Sequence, residues 1–401
     1  MRGPLRKLAL ATVLRPPYVE HCSQTVYEAL LGCCRMWDAT GEARWAERSH
    51  ALAQLLLDIQ QPDGGFDIGY EFNFGQIHEK GQSTSPELVA LVALSEYARL
   101  FEGDSPDGSS VAAAAGRAAE WVRYHALDIG DGRFAIAYSP LTVNEVMVYN
   151  GTSFACGALG CYLGTFGSDD GLRRIYEGMV RYLRDVLATE ADSAGAFWYY
   201  CEQSRADLDD VSRRKVDYYH QMQQVEVHAL AQQRSPVDEQ AAMIRDAADH
   251  VAALGEVHRV IPYCNGHAYF KGLVHLWGLS SVVPGMLEAA AAVPDRAEAY
   301  RAVALKTLDW ILEYGWNGDH FEATLTAEGA PLDHSPYMVR SDAWVFNSLG
   351  AAQKEWGEGP WTQIAEACYG RMAAVDFSGP ESHASRKLTR ALVGAYAKLK
   401  A

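Results

Sequence analysis

The chain has 401 residues, 49% hydrophobic and 21% charged, with a formal net charge of −16. That length and composition allow a large buried core, while the acidic balance excludes a general nucleic-acid binder, which needs a basic face for phosphates. The same charge disfavours an anionic membrane surface, and no apolar run reaches the roughly 18 residues that a membrane span needs.

From the N-terminus, MRGPLRKLALATVLRPPYVEH places basic residues before a short apolar run. That run ends in Arg15-Pro16-Pro17 without a small-residue cleavage site, so it does not read as a signal peptide. Eight cysteines, at 22, 33, 34, 156, 161, 201, 264 and 368, are scattered and form no CxxC. They read as reduced thiols packed as small hydrophobes, which points to a cytoplasmic protein.

Alanine-rich helical patterns then dominate, in two alternating kinds. One has a charged face: 42–60, 111–127, 169–188, 238–254, 295–314 and 360–375. The other carries almost no Lys or Glu: 19–37, 84–100, 150–165, 217–233, 273–291 and 339–353. Long loops rich in glycine and aromatics lead from the first kind into the second, and short connections such as FGSDDG and QRSPVDE lead back. The repeat is about 60 residues long, each unit a helical hairpin. A helix with a charged face suits an outer ring, and one without must be surrounded. Six of each predict an all-α fold: a single (α/α)6 toroid spanning 1–401, with minor β structure in the long loops and a closing helix at 383–400. A helical solenoid is the rival, but its repeats are shorter and more uniform.

The long loops all enter the N-terminal ends of the inner helices, where free N–H groups and a partial positive charge gather. Unusual polar residues collect there: Gln24; His78, Glu79, Gln82 and Ser85; Tyr149, Asn150 and Thr152; Lys215, Asp217, Tyr218, Tyr219 and His220; Asn265, His267 and His275; and Tyr337, Arg340, Ser341, Asp342 and Trp344. The loops add Phe66, Trp198, Tyr199 and Tyr200. Rings stack on the apolar faces of sugars and fixed polar groups read their hydroxyls, so this rim has the composition of a sugar site. In KVDYYHQMQQVEVHAL the stripe Asp217, Gln221, Gln224 and His228 is expected to line a wet central cavity, its deep members as structural hydrogen-bonders.

The stretches QQPDGGF, KVDYYHQ and MVRSDAW carry a resemblance to the (α/α)6-toroid carbohydrate-active enzymes. That group includes unsaturated glucuronyl hydrolases, uronate polysaccharide lyases and glucuronyl C5-epimerase-like proteins. MVRSDAW is similar to the Arg-Gly-Gln-Ala-Trp stretch of glucuronyl hydrolases, with Ser341 and Asp342 in place of Gly and Gln. The resemblance implies an oligosaccharide or other small-molecule substrate and no cofactor.

The first expectation is C5 proton abstraction from a uronic acid, by a lyase or an epimerase. It needs a base, a partner for the carboxylate and an acid for the leaving group. The candidate catalytic residues are Tyr219, His220, His267, Arg340, Glu79 and Asp217. Substrate contacts are expected from His78, Tyr149, Asn150, Tyr218, Asn265, Trp198, Tyr337, Asp342 and Trp344. Hydrolysis by two carboxylates, with Glu79, Asp217 and Asp342 as candidates, is the alternative. Further alternatives are a terpene-type cyclase, suggested by QQPDGGF and by the DxDD at Asp207–Asp210, and a non-catalytic binding toroid. A zinc site at Cys264 and His267 with His220 or His334 is a weaker reading, and no metal is expected.

Overall fold

The computed structural model describes residues 22–69, 72–73, 77–78, 81–101, 108–142, 147–167, 169–190, 194–202, 214–265, 272–332 and 338–378. Among them twelve helices of eleven residues or more alternate along the chain. The inner helices are α1 (Ser23–Thr40), α3 (Val89–Phe101, entered through the 3-10 turn Ser85–Leu88), α5 (Tyr149–Phe166), α7 (Tyr218–Arg234), α9 (Val282–Ala292) and α11 (Val339–Trp356). The outer helices are α2 (Ala43–Ile59), α4 (Gly108–His125), α6 (Asp170–Asp185), α8 (Asp238–Val257), α10 (Ala297–Trp310) and α12 (Pro360–Ala374). Each inner helix packs on the inner helices before and after it, and α11 packs on α1. The ring is therefore closed, and a solenoid is ruled out.

Local chemistry sets the boundaries. The helix α1 stops at Gly41, whose φ of 65° is left-handed and whose N–H returns to the Trp37 carbonyl. The first turns of α6 and α7 are capped by Asp169 and Asp217, which accept from the N–H groups of Leu172 and His220. On α6 a charged face meets water while Leu172, Ile175, Met179 and Leu183 are buried. Along α5 and α11 burial runs all round instead. Between the rings Trp45 of α2 is fully buried, its ring 5.8 Å from Phe346 of α11 and 6.2 Å from Tyr369 of α12. All eight cysteines are buried thiols.

The predicted inner segment 273–291 is broken. Leu273–His275 forms a strand that pairs with Thr324–Thr326, a four-residue helical turn follows, and the regular helix begins only at Val282. Pro284, which has no N–H to donate, sits in the first turn of that second piece, where the missing donor is tolerated. At Gly285 a Cβ would stand 2.5 Å from the Met222 carbonyl oxygen, so α9 and α7 touch backbone to backbone. Three two-stranded antiparallel sheets occur among the described residues: β1 (Phe72–Asn73) with β2 (Ile77–His78), β3 (Ala126–Gly130) with β4 (Arg133–Ile136), and β5 (Leu273–His275) with β6 (Thr324–Thr326). All lie in the long loops that enter inner helices. The closing helix expected at 383–400 lies outside the described residues. Among the described residues no helix is long and apolar enough to cross a membrane.

Candidate active site

The mouth of the ring is built around the start of α7. Just before it, Val216 N–H donates to the Asn265 side-chain oxygen (2.7 Å), Asn265 N–H donates to the Val216 carbonyl (3.2 Å), and the Asn265 amide nitrogen donates to the Arg214 carbonyl (2.8 Å). This clamp fixes the backbone that delivers Lys215 and Asp217. Asp217 Oδ1 accepts from His220 N–H at 3.1 Å, while Oδ2 lies 2.9 Å from Lys215 Nζ and 2.7 Å from His220 Nδ1. Lys215 Nζ also donates to the Tyr263 hydroxyl at 2.9 Å and lies 4.5 and 4.7 Å from the ring centres of Tyr200 and Tyr263.

The electrostatics follow from burial and proximity. Asp217 is 3% exposed. Burial alone would raise its pKa, but His220 and Lys215 beside it hold the carboxyl well below the usual range. Burial would lower the Lys215 pKa, yet Asp217 keeps it well above the ordinary value. Burial pushes the Tyr200 and Tyr263 hydroxyls up, so both are neutral. Asp217 is thus a fixed anion facing Nδ1 of His220. The carboxylate therefore favours the tautomer that carries its proton on Nδ1. Nε2 has no hydrogen-bond partner among the described residues.

Aromatic rings wall this histidine. Tyr200 stands 5.8 Å and Trp277 5.9 Å from the imidazole, both edge-to-face. Trp277 also meets Trp344 at 5.8 Å and carries the Arg340 guanidinium 5.0 Å above its ring. Arg340 Nη1 donates to Gln24 Oε1 (3.0 Å), Gln24 Nε2 donates to Glu87 Oε1 (2.8 Å), and Ser23 donates to the other Glu87 oxygen. Beside His220 a shallow crevice is lined by Asn150, Trp198, Tyr199, Tyr200, Asp217, His220 and Gln224.

Of the residues expected at the site, Asn150, Trp198, Asp217 and His220 line this crevice, and Arg340 and Trp344 join through Trp277. Tyr219 does not line the crevice. It is fully buried, its hydroxyl donates to the Ile261 carbonyl at 3.0 Å, its ring lies against Gly278, and burial pushes its pKa well up. Tyr218 faces His250 of α8 at 5.7 Å, with its pKa pushed up to about 12 by burial. Tyr149 turns outward to Tyr182 of α6 at 6.0 Å. Asp342 is fully buried and accepts from the Phe321 N–H at 2.9 Å, so it ties a loop to α11. Asn265 is engaged in the backbone clamp. Glu79, His267 and Tyr337 lie outside the described residues, as do His334 and Asp207–Asp210, and of His78 only the backbone, in β2, is described.

The polar stripe of α7 is also rearranged. Gln221 donates to the Ala247 carbonyl at 2.8 Å, toward α8. His228 is held between Ser153 and Gln240, 3.0 Å from each, and burial pushes its pKa down to about 3. Gln224 lines the crevice with His220, as expected for the stripe. Glu226 and Glu288 take Arg35 of α1 at 2.9 and 3.0 Å, and Arg35 also reaches Asn347 of α11. Asn347 in turn donates to Glu28 at 2.7 Å, and burial together with nearby Glu226 pushes the Glu28 carboxyl well up. Sequence reasoning missed this axial network, Trp277 and Glu87. The available signal was the few charges, such as Glu28, Arg35 and Glu226, inside helices otherwise nearly without them.

No protein-family model matches the chain, and neither does any curated protein. Solved structures do match. The cellobiose 2-epimerase of Bacillus thermoamylovorans superposes with a TM-score of 0.58 at 10% identity, over 81% of this chain and 87% of that one. A family 76 α-mannanase of Bacteroides thetaiotaomicron gives 0.60 at 9% identity, over 89% and 88%. A family 105 glycoside hydrolase of C. acetobutylicum gives 0.54 at 14% identity, over 77% and 82%. The chain has the (α/α)6-toroid fold of these carbohydrate-active enzymes. At such identities the likeness is one of fold, and it matches the group to which the three sequence motifs pointed.

Proposed function

We propose that the chain is a carbohydrate-active enzyme that moves a proton on carbon, with His220 as the acid–base group. The carrying observation is the buried, ionised Asp217 set 2.7 Å from His220 Nδ1, which leaves Nε2 toward a crevice walled by aromatic rings. Nε2 takes the proton from a carbon next to a carbonyl or carboxyl group, and the electron pair moves onto that oxygen. Arg340, held by Gln24 and the face of Trp277, is the nearby cation for the charge that develops. Return of a proton to the other face gives an epimer, and expulsion of the β-substituent gives a lyase product.

The two-carboxylate alternative is less well served. Hydrolysis needs two carboxyl groups about 5–9.5 Å apart across the scissile bond. Among the described residues Asp217 is committed to Lys215 and His220, Asp342 to Phe321, and the fully buried Glu87 to Ser23 and Gln24. The fold neighbours named as epimerase and hydrolases are compatible with either chemistry.

The test is to incubate the protein in deuterated water with neutral disaccharides and with uronic-acid oligosaccharides. Deuterium on one sugar carbon is followed by NMR, and unsaturated uronate by its ultraviolet absorbance. His220→Ala is expected to lower exchange by about 100-fold or more. New reducing ends without any carbon exchange would establish hydrolysis and overturn the proposal.

A further inference from the structure

We propose that the crevice between α5 and α7 receives the hydroxyl edge of one uncharged sugar ring, so that the substrate class is a neutral carbohydrate and not the uronic acid suggested by the sequence motifs. The inference deepens the proposed function and shares its site, but it concerns binding and is tested separately from proton transfer.

The first observation is a pair of unsatisfied acceptors. Asn150 and Gln224 are each 4% exposed and both line the crevice. Each carries an amide oxygen with no hydrogen-bond partner among the described residues. A buried acceptor without a donor is costly, and two in one crevice mark a place where donors are brought from outside. Hydroxyl groups supply them, and each can also accept, so adjacent hydroxyls on a ring can pair with side-chain amides in both senses.

The second observation is charge. No lysine or arginine is among the described residues lining the crevice, whereas the Asp217 carboxylate is. Lys215 stands behind that carboxylate, bonded to it and to Tyr263. Arg340 belongs to a different wall, on Trp277 and Gln24. A uronate carboxylate in the crevice would be an acceptor-only anion facing two amide oxygens and a fixed negative charge, with no lysine or arginine among the described lining residues to meet it. An uncharged ring brings only hydroxyls.

The third is shape. Trp198 is fixed by donating from Nε1 to the Leu183 carbonyl at 2.9 Å, and Tyr199 and Tyr200 complete an aromatic side for the C–H face of a pyranose.

The experiment is calorimetric titration of the full chain at pH 7 with matched pairs: glucose and glucuronate, mannose and mannuronate, galactose and galacturonate. At least one neutral member is expected to bind about tenfold or more tightly than its uronate, equivalent to about 1.4 kcal/mol. Asn150→Ala and Gln224→Met, each checked for unchanged circular dichroism, are expected to weaken that neutral sugar by about fivefold or more. The proposal is overturned if a uronate binds as tightly as its neutral partner, if no sugar of the panel binds, or if folded variants bind like the parent. Should a variant not fold, the paired titrations on the unaltered chain still decide. Neutral binding without deuterium exchange upholds the crevice and removes the proton-transfer reading. Exchange on a uronate without neutral binding does the reverse.

Discussion

Replacing Asp217 with Asn isolates the electrostatic part of the site. Asn caps a helix as well as Asp does, so α7 keeps its first turn. What disappears is one buried negative charge, 2.9 Å from Lys215 and 2.7 Å from His220. Breaking a buried ion pair by removing one partner costs about 3–5 kcal/mol, because the other charge is left behind. The Lys215 side chain is 15% exposed and keeps its Tyr263 partner, which places the loss at the lower end, about 3 kcal/mol. Adding Lys215→Met removes the stranded ammonium and should return about 2 kcal/mol of that loss. Urea denaturation followed by tryptophan fluorescence measures all three proteins. The Asp217 pKa is lowered in the folded chain, so its stabilisation is present above the unfolded value of about 4 and is lost as pH falls through the folded value. The gap between Asp217→Asn and the parent should be full at pH 7 and shrink below about pH 4. A single variant within about 1 kcal/mol of the parent at pH 7, or a double variant no more stable than the single, refutes the reasoning.

Three further outcomes follow from the packing. Tyr219→Phe removes one hydroxyl bond to the Ile261 carbonyl and should cost about 1 kcal/mol while leaving sugar turnover unchanged; a large loss of turnover would restore Tyr219 as a catalytic group. Gly285→Ala should destabilise by about 1–3 kcal/mol in spite of alanine's better helix propensity, since the new methyl meets the Met222 carbonyl oxygen; thermal melts that rise instead would show that α9 and α7 can part. Arg35→Met strands Glu226 and Glu288 at the axis and should cost about 3–5 kcal/mol near pH 8. Glu288 now sits below its ordinary pKa because Arg35 offsets its burial, and without that cation its pKa rises, so this variant should gain stability as pH falls toward 5, measured by denaturant midpoints.

The toroid was legible because burial writes itself into composition. A helix with charges on one face and a helix with almost none differ at every turn, and their alternation gives the two rings. The mouth was legible as a region, since loop length and rim residues identify one end of the inner helices. Which way each side chain points was not. Tyr218, Tyr219 and His220 are consecutive, and only tertiary contacts with His250, Ile261 and Trp277 sort them into outward, buried and mouth-facing. The axial partners were illegible for another reason: Arg35 meets Glu226, Glu288 and Asn347, which lie on three other helices, and no local pattern connects them. Trp277 was overlooked because the segment was read as one helix, whereas its break at 276–281 presents the indole to His220.

The seam where α11 closes against α1 also sets when this fold can exist. Arg35 and Asn347 are 312 positions apart in the chain. During synthesis, α1 must therefore wait, its apolar flank and its guanidinium without their final neighbours, until nearly the whole ring has been made. Contacts of such separation are slow to form, and the intermediate exposes surface that other chains can capture. The same seam is a place where a rearranged chain order could be tried: joining the end of α12 to the start of α1 and opening the short connection 235–237 would let Glu288, Asn347 and Arg35 emerge in succession, with Glu226 following. Such a permutant would separate the speed of assembly from the strength of the finished ring.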